Sequence, residues 1–192
     1  NYVQTSGFNG KLSANFATAY KNKLFLGLNL NVHFTDYTKL TSVYEGNNNP
    51  LYTSGLTVTD IQFDNELYTY GTGFSMNVGA IYKFTDNFRA GVAYESPTWY
   101  NLNDELSQRL IVRTTDGTTD YQDVVNPNVV NIYETYKIQT PSKWTFSGAY
   151  IFGKKGLISV DYATKDYSNI KFKPTNDGFF RDLNSQMSSQ FK

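Results

Sequence analysis

The sequence has no cysteine, no long apolar run and no net charge, and each absence removes a class of protein. Without cysteine, neither a disulfide framework nor thiolate chemistry is available. No stretch reaches the roughly 18 apolar residues that a membrane-spanning helix needs. The 17 lysines and arginines balance 17 aspartates and glutamates, so charge gives no reason to expect a nucleic-acid partner.

The apolar content is concentrated in aromatic residues. The chain is 40% hydrophobic with a mean hydropathy of −0.47, yet 17% of its residues are aromatic, including 16 tyrosines and 14 phenylalanines. Aromatic residues are enriched in β-strands and in the interfacial girdles of membrane proteins. This composition therefore favours an all-β protein in contact with lipid.

Residues 68–97 carry the clearest pattern. From Tyr68 to Phe84 the even positions are mainly apolar and the odd positions polar or small, which predicts a strand with one apolar face. A turn at 85–87 follows, and the alternation resumes in the same parity. The first arm has about 17 residues, whereas soluble strands usually have about 5–6. A transmembrane strand fits this length better, and a soluble β-sandwich or lipocalin-like barrel is the alternative.

The same alternation recurs along the chain and predicts about six strands, joined alternately by short turns and long loops. The strands are expected near 8–21, 24–40, 68–84, 88–97, 143–152 and 157–167. The long loops are expected at 45–67, 98–142 and 168–192, with a phase break at 58–66 that predicts a bulge or loop segment there. Outer-membrane barrels have short periplasmic turns and longer extracellular loops, which places the long connections outside the cell.

Six strands do not close a membrane barrel, because bacterial barrels have at least eight. Either residues 1–5 and the tail add two poorly patterned strands, or the chain is part of a larger barrel. We expect the second case, with residues 1–192 forming part of a single transmembrane antiparallel up-and-down β-barrel domain.

Two segments carry recognisable motifs. The first contains Arg-x-Gly-x-x-Tyr-x-Ser-Pro, here Arg89, Gly91, Tyr94, Ser96 and Pro97, and the second pairs Pro141 with Gly148 and Tyr150. Both segments resemble the FadL/TodX family of outer-membrane transporters for hydrophobic compounds. The opening strands look like the Bacteroidetes branch. The resemblance implies a fourteen-stranded barrel with a plug, in the outer membrane of a Gram-negative bacterium, that carries long-chain fatty acids. The chain departs from the family in having no recognisable plug and too few strands.

The polar face of the predicted strands is expected to line the barrel lumen. Its candidate residues are Asn29, Asn31, His33, Asn77, Lys83, Arg89, Glu95 and Asp161. His33 is the single histidine and has no ligand partners at metal spacing, so we expect a lumen residue and no metal site. No paired carboxylates, catalytic triad or nucleotide loop is recognisable, and we therefore expect neither an enzyme nor a cofactor.

The predicted loop 98–142 is unusually apolar for an extracellular segment. We expect Trp99, Tyr100, Leu110 and Val112 to help capture an amphipathic, lipid-like cargo, since exposed apolar patches tend to mark binding surfaces. The alternative is a small core inside the loop, built from Leu106, Leu110, Val112 and Val124. Lys83 and Arg89 should face each other beside the turn and need an acidic partner from a plug or a neighbouring strand. Outer-membrane lipid is an expected partner, and an alternative function is protein secretion or surface assembly with other outer-membrane proteins.

Overall fold

One long antiparallel sheet dominates the computed structural model, which describes residues 1–47 and 55–191. Its strands, in chain order, are β1 (Tyr2–Tyr20), β2 (Leu24–Gly46), β3 (Thr57–Lys83), β4 (Phe88–Glu95), β5 (Trp99–Thr115), β6 (Asp120–Val125), β7 (Val130–Ile132), β8 (Tyr136–Gln139), β9 (Lys143–Ile151), β10 (Leu157–Lys165) and β11 (Lys171–Lys173). A 3-10 turn spans Tyr167–Asn169, and helix α1 spans Gly178–Gln190. No helix in the described ranges is long and apolar enough to cross a membrane.

The first four strands pair consecutively, and the later strands pair on both sides of them. β2 pairs with β1 and β3, β3 also pairs with β4 and β5, and β9 lies between β4 and β10. β5 pairs with β6, β7 and β8, and β8 also pairs with β11. In the described part of the chain, β1 pairs only with β2 and β10 only with β9, so these pairings do not close a barrel.

Contacts divide the chain into two units. The first unit comprises residues 1–9, 35–70 and 103–135, and the second comprises residues 10–34, 71–102 and 136–192. Four strands, β1, β2, β3 and β5, contribute residues to both.

The strands are longer than their alternation predicts. β1 begins at Tyr2 rather than at residue 8, and β2 runs to Gly46 rather than to 40. The predicted loop 45–67 contains the first eleven residues of β3, and its residues 48–54 lie outside the described ranges. The phase break at 58–66 is neither a bulge nor a loop in β3, which is continuous from Thr57 to Lys83. The apolar residues change there from odd positions (Ile61, Phe63) to even positions (Phe74, Met76), but the backbone remains one strand.

The two other predicted loops also contain regular structure. Residues 98–142, predicted as one long loop, hold β5 to β8. The sequence Asp116-Gly117 between two strand-like segments predicts a hairpin within that loop, and the structure confirms it, because β5 and β6 pair around this turn. The tail, expected to be a loop, contains β11 and α1. Asp177 caps α1 by accepting a hydrogen bond from the Phe180 N–H, and the Phe180 ring packs on Phe172 at 6.1 Å between ring centroids.

The short turns form where they are expected, for identifiable local reasons. Lys21 and Asn22 both have positive φ, and the Lys23 N–H bonds to the Tyr20 carbonyl at 3.1 Å, as in the primed turns that match strand twist. At the next turn the Thr85 hydroxyl accepts a hydrogen bond from the Phe88 N–H at 2.9 Å. That turn sets the register in which Lys83 lies opposite Arg89.

In the second unit the apolar side chains are on the outside. Many even-numbered apolar residues of β1, β2, β3, β9 and β10 are exposed, among them Leu12, Phe16, Leu26, Val78, Phe146 and Val160. Among the described residues the buried hydrophobic ones are Leu102 and Ile111, at 7% and 8% exposure. A soluble sandwich would cover such a face with a second sheet. The even face therefore has the character of a surface that meets lipid.

Two neighbouring strands are interrupted side by side, each at a proline. β4 and β5 are separated by residues 96–98, and β8 and β9 by residues 140–142. Both sides of the interruption keep one pairing offset, from Glu95↔Lys143 to Trp99↔Gln139, so Pro97 and Pro141 lie at the same level. Proline lacks the N–H that a ladder needs. The Thr140 hydroxyl compensates by accepting a hydrogen bond from the Thr98 N–H at 2.8 Å.

Candidate functional site

The odd face of the second unit carries a connected network of neutral polar side chains. Asn31 lies at its centre and accepts a hydrogen bond from Ser13 at 2.7 Å. The Asn31 amide donates to Asn77 at 2.9 Å and to Ser75 at 3.3 Å, and the Ser75 hydroxyl lies 2.9 Å from His33 Nε2. Three of the predicted lumen residues, Asn31, His33 and Asn77, are thus brought together on one polar surface. Because their hydrogen bonds link three strands, we expect the network to hold those strands in register.

The side chain of Tyr100 lies on this polar face, where it packs against a glycine. Its ring lies over Gly73, where an added Cβ would come within 2.7 Å of Tyr100 Cδ1. The same ring meets His33 edge-on, with 5.7 Å between centroids. Only a residue without a side chain leaves room for this packing. The pair Gly71 and Gly73 therefore accommodates side chains of β5, and this explains the glycines in the middle of β3.

At Ser96 and Pro97, between β4 and β5, the pairing with β3 shifts by one residue, and this shift determines which face each β5 side chain occupies. Asn77 pairs with Glu95, whereas four residues earlier in β3 Gly73 meets Tyr100, which is five residues after Glu95. The extra residue is a β-bulge that reverses the parity of β5 relative to β4. The Ser96 hydroxyl repairs the ladder by accepting a hydrogen bond from the Met76 N–H at 2.9 Å. Tyr100 consequently lies on the polar face, and Trp99 lies on the opposite, apolar face.

A recess lies in the second unit, on a surface that includes Arg89 and Asp161. It has a volume of about 500 Å³ and is lined mostly by glycine, alanine and serine from six strands. Arg89 and Asp161 supply its charges, and its larger apolar residues are Phe25, Leu26, Ile81 and Val92. The small residues create the space, since the strands themselves are continuous. The recess thus combines apolar walls with one guanidinium and one carboxylate.

The predicted like-charge pair beside the turn exists, and its acidic partner is local. Lys83 and Arg89 are directly opposite in the β3–β4 ladder, as predicted. Lys83 Nζ lies 3.0 Å from Asp86 of the same turn, so its partner comes from neither a plug nor another strand. This leaves Arg89 with no carboxylate partner among residues 1–47 and 55–191.

The remaining predicted lumen residues take separate positions. Glu95 lies opposite Asn77 on one side and Lys143 on the other. Asp161 lies opposite Ser147 in the β9–β10 ladder, and Asn29 is half-buried on β2.

Ion pairs between neighbouring strands are the main polar feature of the first unit. Arg109 of β5 binds Asp64 of β3 at 2.7 Å, and Arg113 binds Asp60 four residues along the strand. Asp64 is buried and also accepts hydrogen bonds from Ser42 at 2.7 Å and from Gln62 at 3.1 Å. The Ser42 hydrogen bond, followed by those from Arg109 and Gln62, holds the pKa of Asp64 below its ordinary value. These pairs fix the register of β3 against β5.

That register places an apolar row, formed by Ile61, Phe63, Leu110 and Val112, on the face of β3 and β5 opposite the ion pairs. Since Asp64 is opposite Arg109 and Asn65 bonds Gln108 at 2.6 Å, Phe63 lies opposite Leu110 and Ile61 opposite Val112. Val124 faces Ile111 in the β5–β6 ladder. The proposed four-residue core is therefore split, because Val124 lies on the face opposite to Leu106, Leu110 and Val112. The four expected capture residues are also divided between units, with Trp99 and Tyr100 in the second and Leu110 and Val112 in the first.

Sequence reasoning missed Ser96, the bulge and the packing of Tyr100 on Gly73. The signals were present as a serine before proline inside an alternating pattern and two glycines within one strand. Glycine inside a strand often marks close approach, and a proline in a sheet marks a bulge or an edge.

The family model for Outer membrane protein transport protein (OMPP1/FadL/TodX) matches residues 4–181. The chain belongs to this family. No curated protein sequence matches it significantly. Membership assigns the protein to the outer membrane of a Gram-negative bacterium and to the transport of hydrophobic compounds. The exposed apolar face and the all-β fold agree with that assignment.

Proposed function

We propose that the cargo is a long-chain fatty acid or a similar amphiphile with a carboxylate head. The recess of the second unit receives its acyl chain, and Arg89 binds its head. The protein binds and passes this cargo without reacting with it. The observation that carries the proposal is an arginine without a carboxylate partner in the described chain, at a recess with mainly small and apolar walls.

The chemistry of the recess supports this cargo over a neutral hydrocarbon. Its volume of about 500 Å³ is within the range of about 300–1,000 Å³ that is typical of small-molecule sites. Arginine binds carboxylates through paired, charge-assisted hydrogen bonds. A hydrocarbon would gain nothing from Arg89, and it would leave the guanidinium unpaired.

The apolar row of the first unit is the proposed point of capture. Leu110 and Val112, opposite Phe63 and Ile61, form half-buried apolar pairs that an acyl chain can contact. Tyr100 is a proposed cargo contact on the polar face of the second unit. Trp99 cannot share that face, and its 41% exposure on the apolar side suits an interfacial aromatic residue in contact with outer-membrane lipid.

The complete architecture is part of the same proposal. The strands of this chain form part of a fourteen-stranded barrel of the Bacteroidetes-like branch, which further strands close. Family membership supports transport rather than the alternative of protein secretion or surface assembly with other outer-membrane proteins.

Replacing Arg89 tests the cargo. Arg89→Gln should weaken oleate binding about tenfold or more, because a hydrogen bond to a charged group contributes about 1.5–3 kcal/mol. Oleyl alcohol has the same tail without the charge, and its binding should not change. Arg89→Lys should retain part of the oleate affinity, and Lys154→Gln in an exposed turn is the matched control. Unchanged oleate binding in Arg89→Gln would contradict the proposal.

Two polar substitutions test the capture row. Deleting residues 106–125 would remove most of β5 and all of β6, so point changes are the cleaner probe. Leu110→Ser with Val112→Ser should slow oleate uptake while leaving the backbone ladder intact. Val124→Ser, on the opposite face of the same hairpin, is the control. Equal uptake in all three proteins would remove the row from the capture step.

A further inference from the structure

The first unit contains a second recess whose chemistry differs from that of the recess at Arg89. It encloses about 520 Å³ beside the paired residues Asp64 and Arg109. Its polar lining residues are Asp64, Glu66, Ser107, Gln108, Arg109, Asn126 and Asn128, and its apolar ones are Tyr2, Leu40, Val129 and Val130. Polar residues therefore outnumber apolar ones, and a purely hydrophobic cargo would leave their polar groups without hydrogen bonds.

The charges of this recess are arranged around one fixed ion pair. Arg109 uses Nε and one Nη to bind the same oxygen of Asp64, at 3.2 and 2.7 Å. Its side chain is 48% exposed, so the other Nη remains available to a ligand. Glu66, two residues along β3, is exposed and has no ion-pair partner in the described part of the chain. The recess thus offers a guanidinium donor and a free carboxylate acceptor side by side.

Asn126 and Asn128 bring amide groups to the recess from the connection between β6 and β7. The Asn126 side chain accepts a hydrogen bond from the Asn128 N–H at 3.0 Å, and Asn128 has a φ of 51°. Asparagine tolerates this left-handed conformation better than most residues. In residues 1–47 and 55–191, no other side-chain hydrogen bond engages the Asn128 side-chain amide or the Asn126 amide nitrogen, so both can bind a ligand.

The net charge of the recess indicates which class of ligand it can bind. Asp64 and Arg109 neutralise each other, and Glu66 leaves a net negative charge, which disfavours a phosphate or carboxylate ligand. Carboxylates, amides and a guanidinium together suit groups that both donate and accept, which is the property of hydroxyls. Tyr2 and Leu40 add apolar surface for the C–H face of a sugar ring. We propose that this recess binds a neutral glycan.

This inference is independent of the fatty-acid proposal. The two recesses lie in different units and share no residue. In an outer membrane, the glycan can be the core sugars of lipopolysaccharide or a free oligosaccharide. Both present the same hydroxyl chemistry.

Binding of defined probes to the purified full-length protein in nanodiscs tests the inference. The probes are the neutral outer-core oligosaccharide of lipopolysaccharide, free of phosphate and of the acidic sugar Kdo, together with maltohexaose, and glucose with glucose 6-phosphate as a charge comparison. Saturation-transfer NMR followed by titration should show binding of at least one oligosaccharide. Core oligosaccharide alone would identify lipopolysaccharide as the source, and maltohexaose alone a free glycan. Glucose 6-phosphate should bind no better than glucose.

Two conservative variants locate the site. Glu66→Gln keeps the shape of the side chain, and Asn128→Gly keeps the positive φ while removing the amide. Each should weaken oligosaccharide binding about fivefold or more, while Asp120→Asn, an exposed carboxylate elsewhere on β6, should not. The inference is overturned if neither oligosaccharide binds the unaltered protein, if both variants bind as the unaltered protein does, or if glucose 6-phosphate binds better than glucose.

Discussion

The even positions of β3 carry apolar residues in the second unit and charged residues in the first. In the second unit the even positions of β3 are apolar and exposed, as at Phe74, Met76 and Val78. In the first unit the even positions of β3 carry Asp60 and Asp64, each ion-paired with an arginine of β5. The strand is continuous between these segments, so the difference arises from the sequence and not from a break in the backbone. When apolar residues change from odd to even positions along one strand, the environment of each face of that strand changes as well.

The polar interactions differ in the same way. The second unit uses neutral side chains, Ser13, Asn31, Ser75 and Asn77, to link strands across its odd face. The first unit uses charged pairs, as expected where water screens charge and no lipid must be excluded. Charged groups on the lipid face of a barrel are destabilising. Among the described residues, the ion pairs between strands, Asp60–Arg113 and Asp64–Arg109, lie in the first unit, whereas Lys83–Asp86 of the second unit lies beside a turn.

The largest expected effect separates the two faces of the second unit. Val160→Arg places a charge on the apolar face and should reduce the free energy of folding into lipid vesicles by about 2–4 kcal/mol. Ser159→Arg, one residue away on the other face, should cost much less. The neighbouring pair Leu28→Arg and Asn29→Arg should repeat the contrast. Denaturant titrations in vesicles measure all four, and equal losses at both parities would contradict the assignment of faces.

An intermediate loss of stability is expected when an ion pair of the first unit is weakened. Asp64→Asn should lower the free energy of unfolding by about 1–2 kcal/mol at pH 7, because it weakens hydrogen bonds to a charged group. Since folding lowers the pKa of Asp64, its stabilisation is complete above the ordinary value of 3.8. It is lost as the pH falls through the lower folded value.

Hydrogen exchange of the β3 and β5 amides in the first unit measures this pH dependence. Their protection should fall below pH 3.8 in the unaltered protein, and this fall should be smaller in Asp64→Asn. Amides of β9 and β10 in the second unit serve as the internal reference. The same acid response in both proteins would show that Asp64 is not responsible.

The smallest expected effect concerns the bulge that sets the parity of β5. Ser96 is 3% exposed and replaces a missing ladder bond to Met76. Ser96→Ala should lower the free energy of unfolding by about 1 kcal/mol, the usual contribution of one hydrogen bond. Faster exchange of the Met76 amide should accompany the loss, and Ser159→Ala is the exposed control. An unchanged Met76 amide would mean that the hydroxyl does not hold the bulge.

Much of the second unit could be predicted because its signal is local. Alternation identified the strands around Val78, Val92, Phe146 and Val160, and turn residues fixed the register of Lys83 with Arg89. The predicted lumen residues Asn31, His33 and Asn77 do lie together on one face. The strands and the turn depend on neighbours in sequence, and a constant period of two then assigns Asn31 and Asn77 to the same face although they are 46 residues apart.

The first unit was harder to predict because its apolar and charged residues exchange faces relative to the second unit. Asp64 and Arg109 are 45 residues apart, and neither residue alone indicates a strand. The reversal of apolar parity at Ile61 and Phe63 resembled a break, although pairing with β5 explains it. Similarly, Trp99 and Tyr100 were grouped as one site because the parity change at Ser96 and Pro97 cannot be recognised without knowing which residue of β3 faces which residue of β5.

Accessibility of spin labels along β10 tests the central claim most directly. Single cysteines from 157 to 165 in the full-length protein, each carrying a nitroxide, would be measured in lipid vesicles with oxygen and with a water-soluble nickel chelate. Oxygen accessibility should peak at Ile158, Val160 and Tyr162, and chelate accessibility at Ser159 and Asp161. Two-residue alternation in this phase would confirm that the even face meets lipid, whereas no alternation, or the opposite phase, would contradict it.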